Sequence, residues 1–311
     1  MKLVVGTRGS KLSLIQTKEV LDRLMENFPD IEFDVKIIKT KGDLDLETPL
    51  YKIPQKGIFE REIDLALLKH DIDFAVHSMK DYPTKTFDDI VIAAVPPRRS
   101  PYDVFVSNIA KNIEDLPDKS RIGTSSLRRE AFVKFVRKDL EVFPIRGNVE
   151  SRLKKMREGV VDGLILAEVA IERLNEEVNY QRLNIEDFTP AAGQGALAVV
   201  ARKQDDEILK ILRSIDDEKS RFEVLMEREI ISMLDVGCKT PLGVYVNLNL
   251  DRVNVIVSTV SIDYQRKVLI NESVSGHDIS QVTSYVVKVF REKGGERVLK
   301  EWRLNKLSER R

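Results

Sequence analysis

The chain has 311 residues, with 51 lysines and arginines against 51 aspartates and glutamates, 42% hydrophobic residues and one cysteine. That length calls for two or three domains, and the charge balance excludes the broad basic field of a nucleic-acid binder. A lone Cys238 rules out an internal disulfide, and His70, His77 and His277 share no metal-ligand spacing, so no metal is expected. With no apolar run of eighteen residues and no leader-like start, the expected location is cytoplasmic, with no membrane partner.

In chain order, Leu3 to Val5 reads as a strand, and Ser10 caps a helix carrying Leu14, Thr17, Leu21, Leu24 and Phe28 up to Pro29. Phe33 to Ile38 follows as a strand, Lys41 to Lys56 as an aperiodic mobile loop, Ile58 to Leu68 as a helix with Phe59, Ile63 and Leu67 inward, and Ile72 to Val76 as a strand. After a strand at Val91 to Val95, Pro96-Pro97-Arg98-Arg99-Ser100-Pro101 marks a crossing to a second lobe. That lobe has strands at Asp103 to Ser107, Arg121 to Ile122, Glu141 to Ile145 and Gly163 to Leu166. Its helices are expected near Ser126 to Arg137, Val149 to Glu158 and Ala167 to Leu174.

Phe188-Thr189-Pro190 punctuates the return, and Ala196 to Ala201 is an apolar strand able to rejoin the first lobe. From Asp217 the pattern changes to a helix through Phe222, Leu225 and Ile230, strands at Val244 to Leu248, Val253 to Val260 and Lys267 to Ser273, and a helix from Asp278 to Arg291. Gly294 to Arg311, charged around Trp302, reads as a partly ordered tail. The expected class is therefore α/β, with two hinged lobes (1–96 with 191–214, and 101–189) and a small α+β C-terminal domain at 217–311.

Six segments are candidates for chemistry. Asp73-Phe74-Ala75-Val76-His77-Ser78-Met79-Lys80-Asp81 is an apolar run that breaks into a hydroxyl, a cation and a carboxylate, where an α/β strand end faces its ligand crevice. Gly123-Thr124-Ser125-Ser126-Leu127-Arg128-Arg129 places hydroxyls and two arginines at a helix start, a cradle for carboxylate or phosphate; the competing reading is a simple cap with solvated arginines. Arg146-Gly147-Asn148 with Arg152, and Thr7-Arg8-Gly9-Ser10, repeat the basic strand end, and three such ends suit a ligand with several carboxylates. Gly193-Gln194-Gly195 resembles a loosened dinucleotide fingerprint but follows Pro190 rather than a strand, so it reads as a tight lobe connection. Cys238, in a turn beside Lys239, is either a buried small thiol or an activated one.

Together these segments, with Gln16 and Lys56-Gly57-Ile58-Phe59, closely resemble hydroxymethylbilane synthase (porphobilinogen deaminase) over nearly the whole chain, in family order. The resemblance implies periplasmic-binding-protein-like lobes and a transferase that joins four porphobilinogen molecules into linear hydroxymethylbilane, releasing ammonia, in haem and tetrapyrrole synthesis. It also implies a dipyrromethane cofactor on a thioether to Cys238 and a monomer. By the same implication Asp81 supports the cation formed as ammonia leaves and relays protons, with Arg8 and Lys80 as its catalytic neighbours. The cofactor would be held by Ser78, Lys80, Asp81, Thr124, Ser125, Ser126, Arg128 and Arg129. The substrate would be held by Arg8, Ser10, Gln16, Lys52, Lys56, Phe59, Arg146, Gly147, Arg152, Arg173, Gln194 and Gly195.

Three places depart from the family pattern: Val236 stands for a glycine before Gly237-Cys238, Pro54-Gln55 for a glycine pair, and Tyr82 for an aliphatic residue. The rival reading is a non-catalytic two-lobed solute binder for a polycarboxylate, against which Lys80-Asp81 and Cys238 argue.

Overall fold

The computed structural model describes residues 1–40, 60–236, 240–250, 252–276 and 278–308. Lys52, Lys56, Phe59 and Cys238, the 41–56 loop, and the Pro54-Gln55 departure lie outside the described residues.

The first sheet contains β1 (Lys2–Thr7), β2 (Glu32–Ile37), β3 (Phe74–Ser78), β4 (Ile90–Ala94) and a late arrival, Leu197–Arg202, in the order β2, β1, β3, Leu197–Arg202, β4. Its helix α1 (Lys11–Asn27) starts where Ser10 Oγ accepts from Ser13 N at 3.2 Å. It ends at Phe28 because the residue before a proline is pushed out of helical geometry. Val20, Leu21 and Leu24 point inward at helical spacing, packing with Leu3, Val5 and Phe74. Helix α2 (Arg61–Leu68) buries Ile63 and Leu67 as expected and also Asp64, which the apolar pattern does not foresee.

The second sheet repeats the plan with β5 (Asp103–Ser107), β6 (Arg121–Gly123), β7 (Glu141–Phe143), β8 (Gly163–Ala167) and β9 (Tyr180–Arg182), in the order β7, β6, β8, β5, β9. In each sheet three parallel strands meet one antiparallel strand that arrives directly from a crossing: β5 in the second, and β10 (Leu197–Arg202) in the first. All six residues of β10 are buried, as a central strand covered on both faces requires. Helices α3 (Leu127–Val136), α4 (Val149–Arg157) and α5 (Glu168–Leu174) serve this lobe. β7 stops at Phe143, two residues before the expected Ile145, so Arg146 belongs to the connection into α4 rather than to a strand end.

Two helices differ from what the sequence pattern predicts. Helix α6 (Asp206–Arg213), unforeseen, buries Ile208, Leu209, Ile211 and Leu212 on the first lobe. After α7 (Glu218–Met233) come a three-stranded antiparallel sheet, β11 (Leu242–Asn249), β12 (Arg252–Val260) and β13 (Lys267–Ser275), and α8 (Ile279–Glu292). The expected tail is instead a helix, α9 (Gly295–Ser308): Val298, Leu299 and Trp302 are buried on one face, and Trp302 Nε1 donates to Val260 O at 2.8 Å. Dense charge hides that narrow apolar stripe from a sequence pattern. A fully buried indole with its N–H satisfied ties the end of the chain to β12.

Candidate active site

The strand ends of both lobes and the two crossings between them meet in one polar network. In the first lobe β3 ends at Ser78, and the amides of Asp81 and Tyr82 both turn back to Ser78 O, at 3.1 and 3.2 Å. Ser78 Oγ pairs with buried Gln16 of α1, whose Nε2 lies 2.8 Å away. Asp81 is exposed at the tip of this turn and Lys80 beside it is half-buried. Burial pushes the Lys80 ammonium down to about 8, Asp81 opposes that shift, and Arg129 of the other lobe reinforces it.

The return crossing supplies the hub. Gln194 is fully buried: its Oε1 accepts from Lys80 Nζ at 3.2 Å and Arg129 Nη2 at 3.5 Å, and its Nε2 donates to Asp103 Oδ1 at 2.9 Å. Gly193 and Gly195 have φ of +75° and +92°, and a Cβ on Gly195 would collide with the carbonyls of Arg99 and Ser100 on the outgoing crossing. Two chains touching backbone to backbone leave room for glycine only. Gly193-Gln194-Gly195 is thus the tight lobe connection expected, with no dinucleotide turn. Glu227 of α7, fully buried, anchors it by accepting from Gly193 N at 2.6 Å and Arg98 Nη1 at 2.7 Å.

In the second lobe Ser126 Oγ caps α3 by accepting from Arg129 N, and Thr124 Oγ1 accepts from Ser126 N at 3.2 Å. Ser125 Oγ donates to Ile145 O at 2.5 Å. The cap exists, but its arginines are not solvated. Arg128 Nη1 donates to Asp103 Oδ2 and Thr189 O, both at 2.7 Å, while Arg129 Nη2 donates to Asp103 Oδ1 at 2.8 Å. Burial alone would raise the Asp103 carboxyl, yet the two guanidiniums outweigh it and hold the group well below the usual carboxylate range.

Arg146 and Arg152 present a different environment. Arg152 Nε donates to Gly147 O at 2.8 Å, and Gly147 adopts φ +111° before the Asn148 cap of α4. Arg146 Nη1 is buried with no hydrogen-bond partner among the described residues. Burial, with Arg129 and Arg146 as cationic neighbours, pushes Arg152 down to about 10. Such crowding of guanidiniums is a site prepared for anions.

Of the remaining sequence candidates, Arg8 follows β1 at the first lobe's strand ends, where its charge reaches His77, and Ser10 is spent on the α1 cap. Arg173 of α5 donates to Glu19 of α1 at 3.1 Å and to Gly195 O at 3.4 Å, which makes it a strap between lobes; Lys11 and Glu150 form a second at 2.6 Å. Asp103, Glu19, Glu227 and Arg98 organise the site without having been singled out from sequence. A charged residue opening the apolar strand Asp103 to Ser107 was the available signal for the first.

Among the described residues no group of three or more histidine, cysteine or acidic side chains could hold a metal, and no helix is long and apolar enough to cross a membrane. The family profile described as the porphobilinogen deaminase dipyrromethane cofactor binding domain matches residues 3–210, and that of the porphobilinogen deaminase C-terminal domain matches 221–291. The chain belongs to the porphobilinogen deaminase family. Porphobilinogen deaminase of Desulforudis audaxviator is 47% identical over 244 residues, covering 78% of this chain and 79% of that one. The porphobilinogen deaminase of Alkaliphilus metalliredigens is 39% identical over 298 residues, 95% of this chain and 94% of that one. An arginine-specific periplasmic binding protein of Salmonella typhimurium superimposes with a TM-score of 0.42 at 12% identity, covering 71% of this chain and 93% of that one.

As a porphobilinogen deaminase, the protein is a transferase of tetrapyrrole synthesis that condenses porphobilinogen into linear hydroxymethylbilane with release of ammonia and uses a dipyrromethane cofactor. The donor set fits that polycarboxylate: Lys80 and the Arg129, Arg146 and Arg152 cluster converge, and Arg146 keeps a buried donor without an acceptor among the described residues.

Proposed function

We propose that Asp81 is the catalytic carboxylate, that Cys238 is the thioether anchor of the dipyrromethane, and that the cations divide between cofactor and substrate. The observation that carries this division is the difference in compensation: Arg146 and Arg152 crowd together at the site's edge, whereas Arg128 and Arg129 share Asp103. The cofactor supplies a pyrrole carbon on which the chain grows. Lys80, Ser78, Thr124 to Ser126, Arg128 and Arg129 hold its acetate and propionate groups, and Arg8, Arg146 and Arg152 receive those of incoming substrate. Asp81, exposed on its turn, stabilises the positive charge that develops on the substrate pyrrole as ammonia departs, then takes the proton released when the ring regains aromaticity. The protein acts as a cytoplasmic monomer whose units are 1–96 with 191–214, 101–189 and 217–311.

Intact-mass analysis of the purified protein tests the anchor. An adduct of two linked pyrroles is expected on Cys238 and absent from Cys238→Ser. A fully active protein of unmodified mass would overturn the assignment.

A further inference from the structure

Directly behind the Ser78 to Asp81 turn lies a buried ionisable pair that the reaction scheme leaves unused. His77 is the residue before Ser78, and Asp64 reaches it from α2; their side chains are 3% and 4% exposed, with His77 Nε2 3.8 Å from Asp64 Oδ1. That is too long for a direct hydrogen bond, and neither atom has a hydrogen-bond partner among the described residues. Tyr82, the residue after Asp81, stacks on His77 with ring centroids 5.0 Å apart and planes at 27°. Thus the residues on either side of the reacting turn are clasped together beneath it. Arg228 of α7 closes the outer side, its guanidinium 5.7 Å from the Tyr82 ring centroid while it donates to Tyr82 O and Pro83 O.

A fully ionised pair in such a place would require better hydrogen bonding than 3.8 Å provides, and a lone buried charge would be costly. The charged groups facing it are Arg8, from the end of β1, toward His77, and Arg228 and Glu60 toward Tyr82. Arg8 disfavours an imidazolium. We propose that Asp64 and His77 are positioning residues for the Ser78 to Asp81 turn, kept as an uncharged pair in which the carboxyl of Asp64 carries the one proton.

Burial raises the Asp64 carboxyl to about 7, and burial followed by Arg8 lowers His77 to about 3. In the unfolded chain near pH 5 the pair also binds one proton, but on the imidazole, because the ordinary values are 3.8 and 6.5. Folding therefore moves that proton from His77 to Asp64 without changing the count. The sign for each group alone follows from linkage. Asp64, raised on folding, makes stability fall as pH climbs from about 4 to about 7; His77, lowered on folding, makes stability rise as pH climbs from about 3 to about 6.5. In the wild type the two slopes oppose each other.

The positioning role rests on Asp81 being the reacting carboxylate; the charge state of the pair does not. Nitrogen-15 histidine spectra of the full-length protein, with His70→Gln and His277→Gln to isolate His77, should show a neutral ring from pH 8 to pH 5. A perturbation centred near pH 7 should vanish in Asp64→Asn. An ordinary midpoint near 6.5, or a perturbation that survives Asp64→Asn, overturns the shared proton.

Relative to the wild type, thermal midpoints across pH 4 to 7 should slope more upward in Asp64→Asn and more downward in His77→Gln; slopes parallel to the wild type overturn it as well. For positioning, Asp64→Ala and His77→Gln should each lose about tenfold in kcat with KM changed less than about twofold, while Asp64→Asn, the uncharged shape of the protonated carboxyl, should keep kcat within about threefold of the wild type. An unchanged kcat in His77→Gln removes the positioning role. If the assignment of Asp81 is wrong, Asp81→Asn retains its turnover while the spectra and slopes of the pair stand.

Discussion

Arg128 and Arg129 on the first turn of α3, and Arg146 and Arg152 around the start of α4, belong to the same lobe and follow the same motif of arginines about a helix cap, yet they meet different surroundings. Asp103 binds both guanidiniums of the first pair from the head of β5, where the outgoing crossing enters the sheet. Among the described residues Arg152 has Gly147 O and cationic neighbours, and Arg146 Nη1 has no hydrogen-bond partner. The first pair therefore acts as architecture as well as a charge source, because removing any member strands a buried ion. Among the described residues no carboxylate pairs with either arginine of the second pair, so its affinity for anions is available to a ligand. A sequence motif for anion binding does not say which of the two a given arginine will become.

Asp103→Asn should break the comparison most severely: two buried guanidiniums lose their counter-ion, costing about 3–5 kcal/mol of stability, read as a fall in the thermal midpoint. A midpoint unchanged from wild type would mean that the first pair needs no compensation. Asp81→Asn should leave both pairs and the fold in place while kcat falls by roughly 10²–10³, the scale for removing one preorganised electrostatic partner. Turnover near that of the wild type would take Asp81 out of the chemistry.

Arg152→Ala sharpens the contrast from the other side, with KM for porphobilinogen rising about tenfold and the thermal midpoint kept, since no carboxylate is stranded. A large stability loss in that variant would place Arg152 with the architectural pair. The smallest effect is one of pH. Lys80 is charged below about 8 and loses its proton as pH rises through that value, so the cofactor's carboxylates lose that partner and kcat should fall by a few-fold on the alkaline side. Lys80→Arg, charged throughout, should flatten that fall, and its persistence would assign it to another group.

Much of the fold could be read because its elements announce themselves locally. The β3 and β10 runs are continuously apolar, the caps at Ser10, Ser126 and Asn148 bond as their residue types suggest, and Pro96 to Pro101 and Thr189-Pro190 do mark the crossings. Helix α9 and helix α6 were harder, because their buried faces are short stripes within charged sequence and become visible only when β12 or the first sheet is there to cover them. In the site, the turn bearing Lys80 and Asp81 was legible from the abrupt change from apolar to ionisable residues. Asp103 and Asp64 were not, since a single acid in an apolar stretch carries no mark of the partners that folding brings to it.

The amino-acid sequence by itself settled which chemical groups this protein has and the order of most of its strands, helices and crossings, because apolar periodicity, caps and prolines act over a few residues. Only the tertiary structure decided which cations are neutralised, which carboxyls lose water and which groups share the cleft. Those outcomes depend on burial and on charges tens of residues apart in the chain: 25 residues separate Asp103 from Arg128, and 114 separate Lys80 from Gln194. Electrostatic energies are set by distance in space and by exclusion of solvent, and sequence spacing fixes neither.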